Sequence, residues 1–226
     1  KIGDLRFTIF HDFPNISLSL RDTYIRDLHQ VNAPQDFLKA KVVDINVEAL
    51  KLFKKELQIN SVDIINGEVF VYRSRSGYNN LDIFKRTKSK DTTSKAQVGE
   101  INFKIINLND VSFTYHDSLV RKDYGVHFLN VTNTITPGDS STGFQITGEM
   151  NFIGLMFNTG KGSFLKNKLA TADFNLEFFK NSNQLVVNPS ILKLAKSSFN
   201  LSGFFRFDNP RSFKLAIESN DLDYPE

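Results

Sequence analysis

The sequence predicts a mostly β protein, an elongated, curved antiparallel sheet forming an open trough or groove, with one or two short helices near the N-terminus. Apolar and polar residues alternate with a period of two, as in FPNISLSL at 13–20 and GFQITGEMNF at 143–152. Such alternation, rich in β-branched and aromatic residues, is typical of strands with one buried face. Gly and Asn clusters such as SGYNN, PGDSSTG and KNSN recur at short intervals. These breaks favour an antiparallel meander.

The N-terminal part contains strands and one amphipathic helix. Beyond FPNISLSL, the alternating segments are KVVDINV at 41–47, LQINSVDI at 57–64 and EVFVYR at 68–73. Between two of them, VEALKLFKKEL places Leu50, Phe53 and Leu57 at helical spacing, with its charged residues turned away. Asn80 is predicted to cap a short turn through LDIF at 81–84.

A polar segment divides the chain. KRTKSKDTTSKAQ at 85–97 has no apolar period and many charges, which is typical of a mobile loop. We therefore expect a strand–helix–strand region at 1–85, a mobile polar loop at 86–98 and an antiparallel β region at 99–226. The last region is expected to continue the same sheet and to be truncated at its C-terminal end. Its strands are predicted from INFKI, VSFTYHD, ADFNLEFF, SFNLSGFFRF and FKLAIES.

Composition excludes several kinds of function. The 226 residues include 28 basic and 25 acidic ones, a net charge of +3, so no phosphate-tracking surface is indicated and no nucleic-acid partner is expected. Cysteine is absent, which excludes disulfides, thiol catalysis and cysteine metal sites. Hydrophobic residues make up 40%, with 22 Phe, enough for a sizeable core. No run approaches the roughly 20 apolar residues that a membrane-spanning helix needs.

No residue set with catalytic spacing is found. The four histidines show no metal-type pairing, and no nucleophile elbow, phosphate loop or zinc-protease motif occurs. His116 and Asp117 are adjacent in a predicted strand, so their side chains should point to opposite faces and not act together. We therefore expect no enzyme activity, no catalytic residue, no metal and no cofactor.

The apolar face of the predicted sheet is the candidate functional feature. A one-sided sheet must cover this face with a second sheet, with helices or with a ligand, and one short helix is too small for the task. Burial of each bulky side chain contributes roughly 1.5–3 kcal/mol, so a row of exposed ones indicates an interaction site. The inward candidates are Phe103, Ile105, Phe113, Tyr115, Phe144, Ile146, Phe152, Phe174, Leu176, Phe178, Phe205 and Phe207. A β-sandwich with a filled, dry core would use the same alternation, so both interpretations stay open.

The N-terminal order of elements resembles the AsmA-like family of bacterial envelope proteins. That family carries an F-P-x-[ILV]-x-[LI] strand, a helix, a strand pair with a Gly-x-[IVL] turn, and an R-x-x-x-G-x-x-N-[LW] ending. The matching residues here are Phe13–Pro14, Gly67, Arg73, Gly77, Asn80 and Leu81. Many members have Trp at the position of Leu81 and one residue between the Gly and the Asn, where this chain has Tyr78 and Asn79. The resemblance covers Ile2 to Phe84 best and rests on the run of strands, LSGFFRFDNP among them, beyond Val98.

The resemblance implies a periplasmic body attached to the inner membrane by an N-terminal anchor that lies outside this sequence. Larger relatives, the TamB and YhdP-like proteins, resemble bridge-like lipid-transfer proteins whose curved sheets enclose a hydrophobic groove. The implied function is to shelter or conduct lipid, or to assist outer-membrane assembly, with lipid or acyl chains as partners. The alternative is a non-enzymatic structural or interaction module with a filled β core and no ligand. No oligomeric state is predicted.

Overall fold

Eleven strands form one open sheet in which their spatial order equals their order in the chain. The computed structural model describes residues 2–8, 15–26, 36–53, 57–84 and 102–221. The predicted loop at 86–98 lies outside these ranges. The strands are β1 (Asp4–Thr8), β2 (Asn15–Ile25), β3 (Leu38–Glu48), β4 (Gln58–Arg73), β5 (Asn102–Asp117), β6 (Lys122–Pro137), β7 (Ser141–Met156), β8 (Lys166–Phe179), β9 (Gln184–Leu194), β10 (Ser197–Arg206) and β11 (Ser212–Asp221). The mostly β, open and elongated fold that the alternation predicts is confirmed.

One strand pair departs from the predicted meander. β4 and β5 run parallel, in register from Gln58 opposite Asn102 to Arg73 opposite Asp117, whereas all other neighbours are antiparallel. A parallel pair needs a crossover that carries the chain back to the starting edge of the sheet. Here residues 74–101 make that connection, and they bring both predicted β regions into a single sheet.

In the described part of the chain, short helical elements occupy two connections. Helix α1 spans Ala49–Phe53, and Leu50 is 51% exposed. The predicted helix is therefore too long at its C-terminal end, because Leu57 already leads into β4 and pairing with the sheet prevails over helical propensity. A 3₁₀ helix spans Asn80–Phe84. Within the described ranges no helix is long and apolar enough to cross a bilayer.

The 3₁₀ helix is capped by a different residue from the one predicted. The Asn79 side chain accepts a hydrogen bond from the Leu81 amide at 2.9 Å. Buried Asn80 instead accepts from the Tyr72 amide at 2.9 Å and donates to the Phe70 carbonyl at 2.6 Å. These β4 backbone groups lie past Val69, where β3 no longer pairs with β4, and the Asn80 side chain bonds them as a neighbouring strand would.

A line of irregular residues crosses the sheet from β2 to β6. Asp22, Asn66 and Asp110 have positive φ of 49°, 51° and 54°. At each of these positions one residue is skipped in the strand pairing, as are Lys41 of β3 and Leu129 of β6. From β2 to β6 both strands of each pair skip a residue at the same level, so their register is kept while the alternation of faces shifts by one position. Between β6 and β7 the register itself shifts at Leu129, which is a β-bulge. We call this row of five positions the bulge line.

The core lies on one face of the sheet and continues across this bulge line. In β3, Ala40 and Val43 belong to the same buried cluster although three positions separate them. In β6, Phe128 and Val131 are likewise three positions apart and pack in one second cluster, which also contains Met150, Ala170 and Ala172. Each cluster is built from neighbouring strands, β2–β4 in the first and β5–β9 in the second. We call this side of the sheet the apolar face.

Candidate functional site

Ten of the twelve candidate residues lie together on the apolar face. The strand pairing aligns Phe144 with Leu176 and Ile146 with Phe174, and both pairs extend the second buried cluster. Leu185 is paired with Phe178 on one side and with Phe205 on the other. Val126 is paired in the same way with Phe113 and Phe152, and residues paired across strands share a face. The residues that the structure places on this face are Phe103, Phe113, Tyr115, Phe144, Ile146, Phe152, Phe174, Leu176, Phe178 and Phe205, all of them half-buried.

Ile105 lies on the opposite face, whereas Phe103 is on the apolar face. Ile105 pairs with Ser61 and Thr134, whereas the adjacent Ile106 pairs with Val62 of the first buried cluster. An unbroken period of two would have placed Ile105 with Phe113, but the skipped residue at Asp110 reverses the alternation between them. A second skipped pair, Asn60 and Lys104, reverses it again, so Phe103 pairs with Ile59, which pairs with Val47 of the apolar face. Ile105 therefore leaves the candidate set and Phe103 stays in it.

Phe207 lies past the end of β10 rather than within a strand. It is 48% exposed, and its amide donates to the Asn183 carbonyl at 3.0 Å across the neighbouring turn. The position is at the edge of the sheet, so Phe207 does not line the middle of the apolar face.

The apolar face is longer than the candidate list implied. Aliphatic residues of β2–β4 and residues of β10 and β11 share it, and the same period of two in ISLSL and FKLAI could have identified them. Exposure is greatest on the last strand, where Phe213 is 74% exposed and Ile217 is 59% exposed. The additional residues are Leu18, Leu20, Val43, Ile45, Val62, Ile64, Val69, Leu201, Phe213, Leu215 and Ile217.

The apolar face carries no second layer within the described ranges. All eleven strands belong to the one sheet, and the described helical elements are the two five-residue helices. Large apolar side chains on the face are thus half-buried by their neighbours in the sheet and remain open on the side away from it. Because burial of each contributes roughly 1.5–3 kcal/mol, a molecule that covers this row gains binding free energy.

The opposite face is polar and internally hydrogen-bonded. Asn107 donates to Asp63 at 2.6 Å and accepts from Thr132 at 2.8 Å, which joins β4, β5 and β6. Towards β2, the Asn46 amide donates to the Ser17 hydroxyl at 3.3 Å. A ladder of this kind satisfies polar groups beside water, so the two faces differ sharply in the ligands they can accept.

A polar depression of about 480 Å³ lies along the bulge line. Lys39, Lys41 and Glu68 contribute to its lining, together with Asp110 and His127. His127 is fixed there, 3.0 Å from the Asp110 carboxylate and 3.0 Å from the Ser112 hydroxyl. A lining of mixed charges makes this depression a poor match for an apolar ligand.

His116 and Asp117 engage separate partners. His116 Nδ1 lies 3.2 Å from Asp123, and its ring stacks on Tyr72 at 5.8 Å. Asp117 is 1% exposed and accepts hydrogen bonds from the Tyr115 hydroxyl and from two backbone amides. Across the described ranges no group of three or more His, Asp and Glu side chains is placed to hold a metal ion.

The environment of Asp117 stabilises its charged form. Burial alone raises the pKa of a carboxyl group, but the Val120 amide, the Tyr115 hydroxyl, the Leu119 amide and the charge of Arg73 outweigh burial and lower the pKa of Asp117. Burial first, and then the hydrogen bond to Asp117, raise the pKa of Tyr115. The Tyr115 hydroxyl therefore stays protonated as a donor, and the arrangement stabilises the β5–β6 corner.

No family model, curated protein or solved structure matches this chain. The likeness to AsmA-like proteins consequently rests on the motif residues of the sequence. Of these, Gly77 adopts a positive φ of 90° in the turn after β4, and Asn80 is buried against the β4 backbone. The R-x-x-x-G-x-x-N-[LW] ending thus describes how the chain leaves β4, whereas Leu18 and Val69, at apolar positions of the other two motif elements, lie on the apolar face. Phe13–Pro14 lie outside the described residues.

Proposed function

We propose that the chain is a non-enzymatic module that shelters acyl chains of lipids along the apolar face of its sheet. The observation that carries the proposal is the continuity of that face from β2 to β11 without a covering layer in the described ranges. Acyl chains need apolar contact and no directional hydrogen bonds, which is what a row of Phe, Leu, Ile and Val side chains offers.

The dimensions of the sheet support an acyl chain as the ligand. Neighbouring strands lie about 4.8 Å apart, so the ten intervals from β1 to β11 span roughly 48 Å. Half of the hydrocarbon core of a bilayer, the depth of one leaflet, is about 15 Å. The face is therefore long enough for several acyl chains placed end to end across the strands.

The resemblance to AsmA-like proteins suggests the cellular setting of this proposal. In that setting the chain is the periplasmic body of a protein anchored in the inner membrane, and it conducts lipid or assists outer-membrane assembly. The competing proposal is an interaction module with a filled core and no ligand. This competing proposal is favoured by the burial of small side chains such as Ala170 and Ala172, which larger neighbours cover almost completely.

Native mass spectrometry of the purified protein tests the two proposals, with Phe113→Asp as the decisive variant. We expect the wild type to carry phospholipid or fatty acid, and Phe113→Asp to bind oleate at least about tenfold more weakly while its melting temperature stays close to that of the wild type. A carboxylate in place of the half-buried Phe113 ring removes apolar contact with the ligand, and each methylene group of that contact contributes about 0.8 kcal/mol. Loss of contact equivalent to two methylene groups is enough to weaken oleate binding about tenfold.

Thr114→Asp is the matched control, because Thr114 is the next residue of β5 and lies on the opposite face, paired with Phe70. This variant should bind oleate as the wild type does. If the wild type has a clean mass and no affinity for oleate, the acyl-chain proposal fails. If Phe113→Asp unfolds the protein, Phe113 belongs to a filled core and the competing proposal stands.

A further inference from the structure

We propose that one edge of the sheet docks on the surface of an anionic lipid bilayer. We call this edge the basic rim; it consists of the turn 74–79 after β4, the turn 118–121 between β5 and β6, and the loop 157–165 between β7 and β8. The pairing of Arg73 with Asp117 and of Asp123 with Met156 brings these segments to the same edge. The inference deepens the proposed function and rests on it for its purpose, since sheltered lipid must enter from a membrane.

Large apolar side chains project from the basic rim. Leu119 and Val120 are 46% and 48% exposed, and Phe157 and Phe164 are 55% and 70% exposed. Four such side chains on two neighbouring segments form an exposed apolar patch, which in a folded protein marks an interaction site. Phe and Leu in this position are suited to the boundary between lipid headgroups and acyl chains.

The loop that carries the two Phe residues is held in place by hydrogen bonds. The Thr159 amide donates to the Arg121 carbonyl at 2.9 Å, which fastens the loop to the β5–β6 turn. The Phe164 amide donates to the Leu155 carbonyl at 2.9 Å, and the Ser163 hydroxyl accepts from the Leu155 amide at 2.9 Å. The exposure of Phe157 and Phe164 is thus imposed by the fold, and the patch is formed before any partner binds.

A line of aromatic rings connects the basic rim to the apolar face. Phe164 contacts Phe157 with ring centroids 5.4 Å apart, and Phe157 contacts Tyr124 at 5.4 Å. Tyr124 stacks on Tyr115 of the apolar face at 5.6 Å. An acyl chain leaving a bilayer at this edge would meet apolar surface without interruption on its way to the sheet.

The charge of the basic rim has one sign. Its three segments carry the exposed residues Arg75, Arg121 and Lys161 and contain no Asp or Glu. Arg75 and Arg121 border a depression of about 320 Å³ whose acidic member, Asp117, is buried and engaged by its own hydrogen bonds. Cations beside exposed apolar groups are what an anionic membrane surface attracts.

The opposite edge of the sheet provides an internal comparison. Its turns at 138–140, 180–183 and 207–211 consist mainly of small polar residues, with Phe207 as their large apolar side chain. Their charged residues are two acids, Asp139 and Asp208, and two bases, Lys180 and Arg211. Helix α1 follows β3 at this edge and adds the base Lys51 and Leu50, which is 51% exposed. These turns and the helix therefore carry three bases and two acids, against three bases and no acid on the basic rim. Their exposed large apolar residues are Leu50 and Phe207, against four on the basic rim, and both differences favour the basic rim as the membrane-facing edge.

Vesicle co-sedimentation tests the inference, using phosphatidylcholine vesicles with and without phosphatidylglycerol. We expect the wild type to bind the anionic vesicles, with binding weakened by salt. Arg121→Glu/Lys161→Glu should reduce binding at least about 25-fold, because each basic residue near such a surface contributes roughly fivefold. Phe157→Ser/Phe164→Ser should reduce binding about tenfold or more by removing the inserted rings. The control Phe207→Ser/Arg211→Glu, on the opposite edge, should bind as the wild type does.

The inference is overturned if the wild type does not bind anionic vesicles, as expected for a rim that serves a protein partner. It is equally overturned if the control loses as much binding as the rim variants, or if both rim variants bind normally. Thermal melts identify a rim variant that fails to fold, and the other rim variant then decides. Binding of oleate in the absence of vesicles separates this test from that of the proposed function: the rim variants should retain it. If the wild type binds anionic vesicles but does not bind oleate, the proposed function alone is overturned.

Discussion

Gly148→Ala should destabilise the protein by at least about 3 kcal/mol. Gly148 adopts a φ of 137°, a backbone conformation that costs other residues of order 1–3 kcal/mol. A methyl group there would lie 2.0 Å from the Asn130 carbonyl oxygen and 2.8 Å from the Val131 Cα. Both atoms are backbone atoms of β6 beside its bulge, so relief of the overlap requires β6 and β7 to separate in the middle of the second buried cluster.

Gly143→Ala is the matched control on the same strand. A methyl group at Gly143 would meet Thr136 at 3.7 Å, an ordinary van der Waals distance, and this variant should stay within about 1 kcal/mol of the wild type. Urea denaturation followed by circular dichroism measures both free energies of unfolding. Equal effects of the two substitutions would show that the close approach at Gly148 does not exist in solution.

Asp117→Ala should cost about 3 kcal/mol or more. The substitution leaves the amides of Leu119 and Val120 without their acceptor, and it removes the acceptor of the Tyr115 hydroxyl. Each buried donor left unsatisfied costs about 1–3 kcal/mol. Asp139→Ala, in an exposed turn between β6 and β7, is the comparison and should change stability by less than about 0.5 kcal/mol.

The Asp117 carboxylate should also make stability depend on pH in the acid range. Its pKa is lowered in the folded state, so its stabilising contribution is complete above the unfolded pKa of about 3.9. The contribution is lost as the pH falls from there through the lower folded pKa. Asp117→Asn lacks this titration, so its free energy of unfolding should fall less steeply with decreasing pH than that of the wild type. Parallel pH profiles for the two proteins would contradict the role assigned to Asp117.

The strands could be predicted from the sequence because each depends on local alternation. Leu18 and Leu20 of β2, or Phe144 and Ile146 of β7, need only their neighbours in the chain to define a buried face. The parallel pairing of β4 with β5 has no such local signal. SGYNN has the composition of a hairpin turn, yet the chain after it returns to the other edge of the sheet before β5 begins.

The side on which Ile105 lies depended on a single residue that breaks the alternation. Asp110 has a positive φ, which Asp and Asn tolerate better than most residues, and Asn66 occupies the equivalent position in β4. The sequences around them resemble each other when Tyr72 is aligned with Tyr115, an offset of 43 residues. The actual parallel register places Val71 beside Tyr115, so it is one residue away from that alignment and places Asn66 beside Asp110.

Asn80 illustrates a role that sequence patterns cannot distinguish. An Asn before an apolar run is a typical helix cap, but the cap here is Asn79 and Asn80 is buried against β4. The difference depends on where β3 begins in space, because the unpaired β4 backbone ahead of Leu38 is what Asn80 serves. Local propensity identifies the turn, and the tertiary structure decides which of the two asparagine side chains caps it.

A scan of β5 with a fluorophore on single cysteines and a quencher on a fatty acid tests the central claim most directly. The chain has no cysteine of its own, so each label reports one position. We expect strong quenching at Ile106, Leu108 and Phe113, which lie on the apolar face, and little at Ile105 and Thr114. The quenched positions should change from even to odd numbers across Asp110. Equal, weak quenching at all five positions, or quenching on the polar face, would contradict an apolar face that holds acyl chains.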